Sequence, residues 1–477
     1  MNASEMNLRS QAATTAAQTP SISARQQLSA DTVCAVATPR GSGGIAIIRI
    51  SGDQALPILQ AAFRPAHSAR AWEPSRMMYG HVIAADGSVI DEALAVFMPG
   101  PHSYTREDVC EIHCHGGEIA AHRTLARVLD LGALPAGPGE FTKRAFLGGR
   151  IDLARAEAVM QLIGANSEAA ARASVRQLEG GVSGFVRDIS ARIIDSLALI
   201  EASTDFPDEV EEEAASDQVA QNLRAIIAEI DRRCDPRGAR MLREGASIVL
   251  AGRPNVGKSS LMNALLNQER AIVTAIPGTT RDVLTERISI GGVVAELSDT
   301  AGQRDTVDPV EKIGVDRAKT AMDRADIVLV VIDGSMELDE SDAELLRNAD
   351  ERTVVCLNKT DLNAKVTREE IGRLTDKELI ELSASTGKGM DSLLRALEAR
   401  LSRNFSEDSL TVERHVALAQ RAKESLERGT TAIEGMMPLD MVAMDLKQAL
   451  ETLSEITATN ATETVITEIF SRFCVGK

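Results

Sequence analysis

The run Ser247-Ile248-Val249-Leu250-Ala251, followed at once by Gly252-Arg253-Pro254-Asn255-Val256-Gly257-Lys258-Ser259 and then by the helical pattern Ser260 to Leu266, decides the fold of the central part of this chain. An apolar strand feeding a glycine-bounded loop and then a helix is the setting that a phosphate-binding loop requires. Its logic is electrostatic. N–H groups along Asn255, Val256, Gly257, Lys258, Ser259 and Ser260, together with the positive end of the helix dipole, would surround phosphates. The Lys258 ammonium adds a full charge, and the Ser259 hydroxyl is placed to ligate Mg²⁺.

Working outward, three later segments complete a guanine-nucleotide cassette. Asp299-Thr300-Ala301-Gly302 ends a β-like run, where Asp299 would hold Mg²⁺ through water and the Gly302 N–H would sense the γ-phosphate. Asn358-Lys359-Thr360-Asp361 follows the apolar strand Thr353 to Leu357. A carboxylate at Asp361 can accept two hydrogen bonds from the edge of guanine but meets no such donors on adenine, which selects GTP over ATP. Ser383-Ala384-Ser385 then offers a backbone N–H to the guanine carbonyl. Each motif is a weak or moderate signal alone; in this order and separation they imply an enzyme that hydrolyses GTP. The strand, loop and helix alternation continues to about Leu401, as in a parallel sheet covered by helices, so the expected G domain is 245–401.

On both sides the pattern changes. Short β-rich runs with glycine turns (Thr32 to Ala37, Gly44 to Ile50, Glu92 to Met98, Asp108 to Cys114) and one helical pattern, Glu118 to Asp130, predict a small mixed α/β domain over 31–146. Leu147 to about Arg243 and Glu413 to Lys477 are long Ala/Leu/Glu/Arg stretches, predicting a helical domain of 147–244 with 402–477 into which the G domain is inserted. The expected class is thus α/β plus α: a mixed α/β N-terminal domain, a helical domain, and an inserted Ras-like P-loop GTPase domain. Residues 1–30, rich in Ser, Thr, Ala and Gln, are expected to be a flexible extension, with organellar targeting the less favoured reading.

At 477 residues the chain exceeds what one core usually organises, giving about three domains. With 44% apolar, 26% charged and 3% aromatic residues, fibrous and disordered classes are excluded. The net charge of −18 repels phosphate backbones, so any RNA contact must be local. Six cysteines at irregular spacing form no disulfide framework, and a reducing compartment, the cytoplasm, is expected. No run of about eighteen apolar residues occurs, so no membrane partner is expected.

The loop with Pro254 and Asn255, and the segment Thr274-Ala275-Ile276-Pro277-Gly278-Thr279-Thr280-Arg281-Asp282, resemble the GTPases that use potassium. That resemblance implies K⁺ ligands at Asn255, Thr274, Ile276 and Thr279 and a Mg²⁺ ligand at Thr280. K⁺ there would act as an arginine finger does, placing positive charge where negative charge develops.

Three further segments resemble one family, the MnmE (TrmE) tRNA-modification GTPases, and the resemblance covers nearly everything after Asp31. They are Gly43-Gly44-Ile45-Ala46-Ile47-Ile48-Arg49-Ile50-Ser51-Gly52, Pro138-Gly139-Glu140-Phe141-Thr142 with Arg144-Ala145-Phe146-Leu147, and the tail Phe473-Cys474-Val475-Gly476-Lys477. The resemblance implies a homodimer that joins a flavoprotein partner, MnmG, which carries FAD, in a heterotetramer. That pair would add an aminomethyl or carboxymethylaminomethyl group to carbon five of tRNA wobble uridine, with carbon from a tetrahydrofolate derivative. It places folate contacts on Arg49, Glu111, Arg150 and Lys477. A carboxylate such as Glu111 can pair with the amino and ring N–H of a pterin, and arginine suits the glutamate tail, although the family often has Lys where Arg150 stands.

The same resemblance places Cys474 at the modification site, as nucleophile or as structural thiol. For hydrolysis, Gln303 stands where Ras-like GTPases orient the attacking water, whereas Glu311, in Val310-Glu311-Lys312-Ile313-Gly314, matches the family's catalytic glutamate and is favoured. Asp108-Val109-Cys110-Glu111-Ile112-His113-Cys114-His115 invites a zinc reading, but strand alternation sends Cys110, Ile112 and Cys114 to one face and Glu111, His113 and His115 to the other. Gly476 and Lys477 do not fit a prenylation box. The alternative function is a ribosome-assembly GTPase switch; no GxxG-type RNA-binding loop after Leu401 supports it.

Overall fold

The computed structural model describes residues 31–39, 41–67, 72–268, 286–299, 319–403, 408–458 and 463–477. The N-terminal part comprises β1 (Val33–Val36), β2 (Ile45–Ser51), α1 (Ala55–Ala62), β3 (Phe63–Pro65), β4 (Met78–Ile83), β5 (Val89–Met98), β6 (Val109–His115), α2 (Glu118–Asp130), β7 (Leu134–Pro135) and α3 (Glu140–Leu147). Its seven strands form one sheet in the order β3-β4-β5-β6-β2-β1-β7, antiparallel except where β1 meets β7. Alternation along β2 and β6 buries Ile48, Ile50, Cys110, Ile112 and Cys114 in one core with Ile58 and Leu59 of α1 and Val128 of α2. The opposite face carries Arg49, Glu111 and His113.

Helices follow: α4 (Leu153–Gly164), α5 (Glu168–Leu178), α6 (Gly181–Asp205), α7 (Glu212–Arg233) and α8 (Pro236–Glu244). Then come β8 (Ala246–Ala251), α9 (Lys258–Gln268), β9 (Glu286–Ile290), β10 (Val293–Asp299), β11 (Ile327–Asp333), α10 (Glu340–Arg347), β12 (Thr353–Asn358), α11 (Arg368–Gly372), β13 (Leu379–Glu381) and α12 (Met390–Arg403). The chain ends in α13 (Glu413–Glu434), α14 (Leu439–Thr457) and α15 (Glu463–Ser471).

The second sheet has the order β13-β12-β11-β8-β10-β9, parallel except for the β9–β10 hairpin. β11 is buried along its whole length, as a parallel strand covered on both faces must be. On one face Ile248, Leu250, Leu329 and Cys356 meet Leu261 and Leu265 of α9 and Leu393 and Leu397 of α12. On the other, Val249, Val328, Val330 and Val355 meet Leu346 of α10 and Ile371 of α11.

The chain divides into two compact units: Met1–Met160 with Gln177–Ala220 and Arg428–Lys477, and Gln161–Arg176 with Gln221–Glu427. In the first, α6 lies along α14, and Phe146, Leu147, Leu153, Phe470 and Phe473 join α3, α4, α15 and the tail in one cluster. The tail continues onto the N-terminal sheet domain. Val475 bridges to Pro138, Gly139 N–H donates to Cys474 O at 3.2 Å, and Phe141 N–H donates to Lys477 O at 3.0 Å.

In the second unit, Ala169 and Ala173 of α5 and Met241 and Leu242 of α8 complete the core under β9 and β10. Ala169 N–H donates to Gly292 O at 3.0 Å. Arg237 and Arg240 of α8 both reach the buried carboxylate of Asp326, at 2.9 and 2.6 Å. These two helices, preceding the nucleotide cassette in sequence, are packed as part of it.

Candidate functional site

The phosphate-binding loop emerges from β8 and is held by groups that arrive from far along the chain. Asn358, at the end of β12, donates through Nδ2 to Val256 O at 2.9 Å and accepts the Ala384 N–H at 3.0 Å. This crossing needs Gly257: its φ is 99°, and a Cβ there would stand 2.3 Å from Asn358 Nδ2. Lys359 donates through Nζ to Asn255 O at 2.8 Å and to Asp333 Oδ2 at 2.6 Å. Asn255 takes the left-handed conformation, φ 67°, that asparagine tolerates better than most residues. The Asn-Lys-x-Asp and Ser-Ala-Ser motifs are thereby tied to the loop.

Asp361 accepts from Ser385 Oγ at 3.4 Å, and Ser385 Oγ lies 3.0 Å from Ser383 Oγ. Hydrogen bonding from the Ser383 hydroxyl, first among several contacts, holds the Asp361 carboxyl below the usual range, so it stands ionised. Asp333 is buried. Burial pushes its carboxyl up, but hydrogen bonds from Lys359 and Ser335 outweigh that and leave it below the usual range.

Ser259 donates through Oγ to Asp299 Oδ2 at 3.2 Å. The motif hydroxyl and carboxylate are therefore neighbours, and this all-oxygen pair fits a hard cation such as Mg²⁺. Lys258 donates through Nζ to Gly252 O at 2.8 Å and Arg253 O at 2.9 Å. Burial draws its pKa below that of an ordinary lysine, partly opposed by the Asp299 charge. Thr274, Ala275, Ile276, Pro277, Gly278, Thr279, Thr280, Thr300, Ala301, Gly302, Gln303 and Glu311 lie outside the described residues.

A second cluster lies in the N-terminal sheet domain, on the face away from α1 and α2. Arg49 and Glu111 are cross-strand partners on β2 and β6, and Arg49 Nε donates to Glu111 Oε1 at 2.8 Å. The other carboxylate oxygen of Glu111 is 3.1 Å from His113 Nε2. Burial pushes the Glu111 carboxyl up, yet the His113 hydrogen bond and the Arg49 charge prevail and hold it below the usual range. The Arg49 guanidinium stands 5.5 Å from the ring centres of both Tyr104 and Phe141, and that of Arg150 stands 4.7 Å from Tyr104. Lys477 is joined to this cluster through its carbonyl, which accepts from Phe141 N–H.

Of the four residues expected to contact folate, Arg49 and Arg150 lie against aromatic rings, Glu111 pairs with Arg49, and Lys477 reaches the Phe141 backbone. An ionised carboxylate with arginines over aromatic faces fits a ligand with a hydrogen-bonding heterocycle at one end and carboxylates at the other. Tyr104 carries no motif that would have marked it. Phe141 lies within the Pro138–Thr142 segment, which the sequence marks only by its family resemblance, and is fully buried.

Cys474 is exposed, which removes the buried structural thiol as an explanation of its place in the tail. Burial raises the thiols of Cys34, Cys234 and Cys356 to about 12 and also raises Cys110 and Cys114, so these five are poor nucleophiles.

A doubly covered, mostly parallel sheet with this loop, the Ser259–Asp299 pair and the Asn358–Asp361 motif defines a P-loop GTPase, an enzyme that hydrolyses GTP. Two family models match: "MnmE helical domain" over residues 153–474 and "GTP-binding protein TrmE N-terminus" over residues 32–150. The tRNA modification GTPase MnmE of Alkaliphilus oremlandii (strain OhILAs) is 43% identical over 459 residues, covering 94% of this chain and 99% of the relative. The protein of the same name from Lactobacillus acidophilus is 40% identical over 455 residues, covering 94% and 98%. Among solved structures, the G domain of the T. maritima FeoB iron transporter aligns at 25% identity with 33% of this chain and 98% of its own, with a TM-score of 0.25. The chain belongs to the MnmE family.

Proposed function

We propose that this chain couples potassium-stimulated GTP hydrolysis to the modification of tRNA, adding an aminomethyl or carboxymethylaminomethyl group to carbon five of the wobble uridine. The observation that carries the reading is the second cluster: a plain GTPase has no use for an Arg49–Glu111 pair beside Tyr104 and Phe141, with Arg150 over Tyr104 and the Lys477 carbonyl on the Phe141 N–H. In this reading Glu111 accepts from the amino and ring N–H groups of a tetrahydrofolate derivative, and the arginines and Lys477 hold its carboxylates. When bound, the folate supplies the carbon.

At the nucleotide site Lys258 and the loop N–H groups bind the phosphates, Ser259 and Thr280 ligate Mg²⁺, and Asp361 with Ala384 selects guanine. Asn255, Thr274, Ile276 and Thr279 hold K⁺, and Glu311 rather than Gln303 orients the attacking water. The protein acts in the cytoplasm as a homodimer with the flavoprotein MnmG, and Cys474 is placed at the modification site.

The test is mass spectrometry of nucleosides from the tRNA of cells lacking this protein. Loss of the carbon-five substituent at the wobble uridine, restored by the wild-type chain but not by Glu111→Ala, is expected. Unchanged wobble modification in those cells would refute the reading.

A further inference from the structure

The phosphate-binding loop carries one long side chain whose partners the GTPase motifs do not account for. Arg253 Nη1 lies 2.6 Å from Asp339 Oδ2, and Nη2 lies 2.6 Å from Asp342 Oδ2. Those two aspartates are the two halves of the capping box of α10. Asp339 accepts the Asp342 N–H at 3.0 Å, and Asp342 Oδ2 accepts the Asp339 N–H at 3.4 Å. The guanidinium therefore spans both members of a box that is already fixed to a helix end.

We propose that Arg253 is a positioning residue for GTP hydrolysis: clamped by Asp339 and Asp342, it fixes the first half of the phosphate-binding loop and so sets where Lys258 delivers its charge. The loop's second half has its own restraints, from Asn358 to Val256 O and from Lys359 to Asn255 O. The first half has Arg253, whose carbonyl is one of the two that receive Lys258 Nζ. A shift of the Arg253 peptide therefore moves a hydrogen-bond partner of the charge that must meet the phosphates. Misplacement by about 1 Å can cost on the order of a hundredfold in rate.

The clamp is rigid for an electrostatic reason. The Asp342 side chain is fully buried, and burial pushes its carboxyl above the usual range against the pull of Arg253. A charge buried so is stable only with its partner in place, which keeps the guanidinium from wandering. A planar fork can meet two carboxylates at once, and an ammonium cannot do so with the same geometry. With both terminal nitrogens engaged, Arg253 is not available as an arginine finger, so its effect passes through the loop backbone.

This inference rests on the loop being the GTP site, and the experiment separates the two. The full chain would be prepared as wild type, Arg253→Met, Asp342→Asn, Arg253→Met/Asp342→Asn and Arg253→Lys. Affinity for a fluorescent GDP analogue, single-turnover GTP hydrolysis and the melting midpoint would be measured for each. Arg253→Met is expected to weaken nucleotide binding about tenfold, which is about 1.4 kcal/mol, and to slow single-turnover hydrolysis by at least as much. The double variant, which removes the buried charge with its partner, is expected to regain the wild-type midpoint while affinity and rate stay low. Arg253→Lys should fall between.

If the double variant recovers rate and affinity together with stability, the role of Arg253 is structural and the proposal fails. It fails equally if Arg253→Met binds and hydrolyses as wild type does. A wild-type chain that does not bind the analogue would instead overturn the site reading on which the proposal stands.

Discussion

Glu111 illustrates how one residue's chemistry is set by neighbours the sequence brings from elsewhere. Its strand parity was legible, because β6 alternates Cys110, Ile112 and Cys114 inward with Glu111 and His113 outward. Its pairing with Arg49, 62 positions away, depends on β2–β6 register and is not legible from local pattern. The same limit hid the Arg253 clamp, whose partners are 86 and 89 positions distant and look, in sequence, like ordinary acids at a helix start. Because its carboxyl is held below the ordinary value near 4.5, ionised Glu111 stabilises the fold above that pH, and the contribution is lost as pH falls through the lowered value. Glu111→Gln should therefore destabilise its unit by about 1–2 kcal/mol at pH 7, where a charged hydrogen-bond acceptor is lost. The deficit should shrink below pH 4.5. Trp72, the chain's single tryptophan, packs edge-on at 5.9 Å from Phe63 in the same unit and reports its unfolding in urea. A deficit unchanged from pH 7 into acid would show that the Glu111 charge is not what the pair uses.

At the scale of elements, the sequence marked what is locally periodic and missed what is defined by a partner. The strand–loop–helix at β8 and α9 and the fully apolar β11 announce themselves. β3, three residues with a terminal proline, and β4, Met-Tyr-Gly-His-Val-Ile, carry little pattern of their own; β4 exists because β5 offers an edge, and β3 because β4 then offers one. The C-terminal tail is a similar case: from Cys474 to Lys477 its backbone is paired to the N-terminal domain. Gly476 makes that approach possible, with φ 96° and the place of its missing Cβ 2.3 Å from Val36 O. Gly476→Ala must therefore move backbone, at a cost of about 1–3 kcal/mol. The expected signature is local. Amide exchange at Gly139 and Phe141, whose N–H groups donate to Cys474 O and Lys477 O, should accelerate while the Trp72 transition moves little. Unchanged protection at both amides would mean that the tail is held by something other than this close approach.

For the molecule as a whole, the fold class and the presence of a GTPase were readable because a nucleotide site imposes residues in a fixed order along one stretch of chain. Where α5 and α8 pack was not readable, because an amphipathic helix declares that it has a core and not which core. Both belong to the unit that contains the nucleotide loop, with Met241 and Leu242 beneath β9 and β10 and Arg237 and Arg240 on Asp326. Each unit has its own buried core, so a cavity made in one is expected to lower the stability of that one. Met241, 1% exposed, is the residue to cut. In the full chain, Met241→Ala should cost about 2–5 kcal/mol in the nucleotide unit. The urea midpoint for loss of GDP-analogue binding should fall, whereas the Trp72 transition, which reports the other unit, should stay in place. If the Trp72 transition moves down in step with nucleotide release, the two units unfold as one and α8 stabilises the whole chain rather than the GTPase alone.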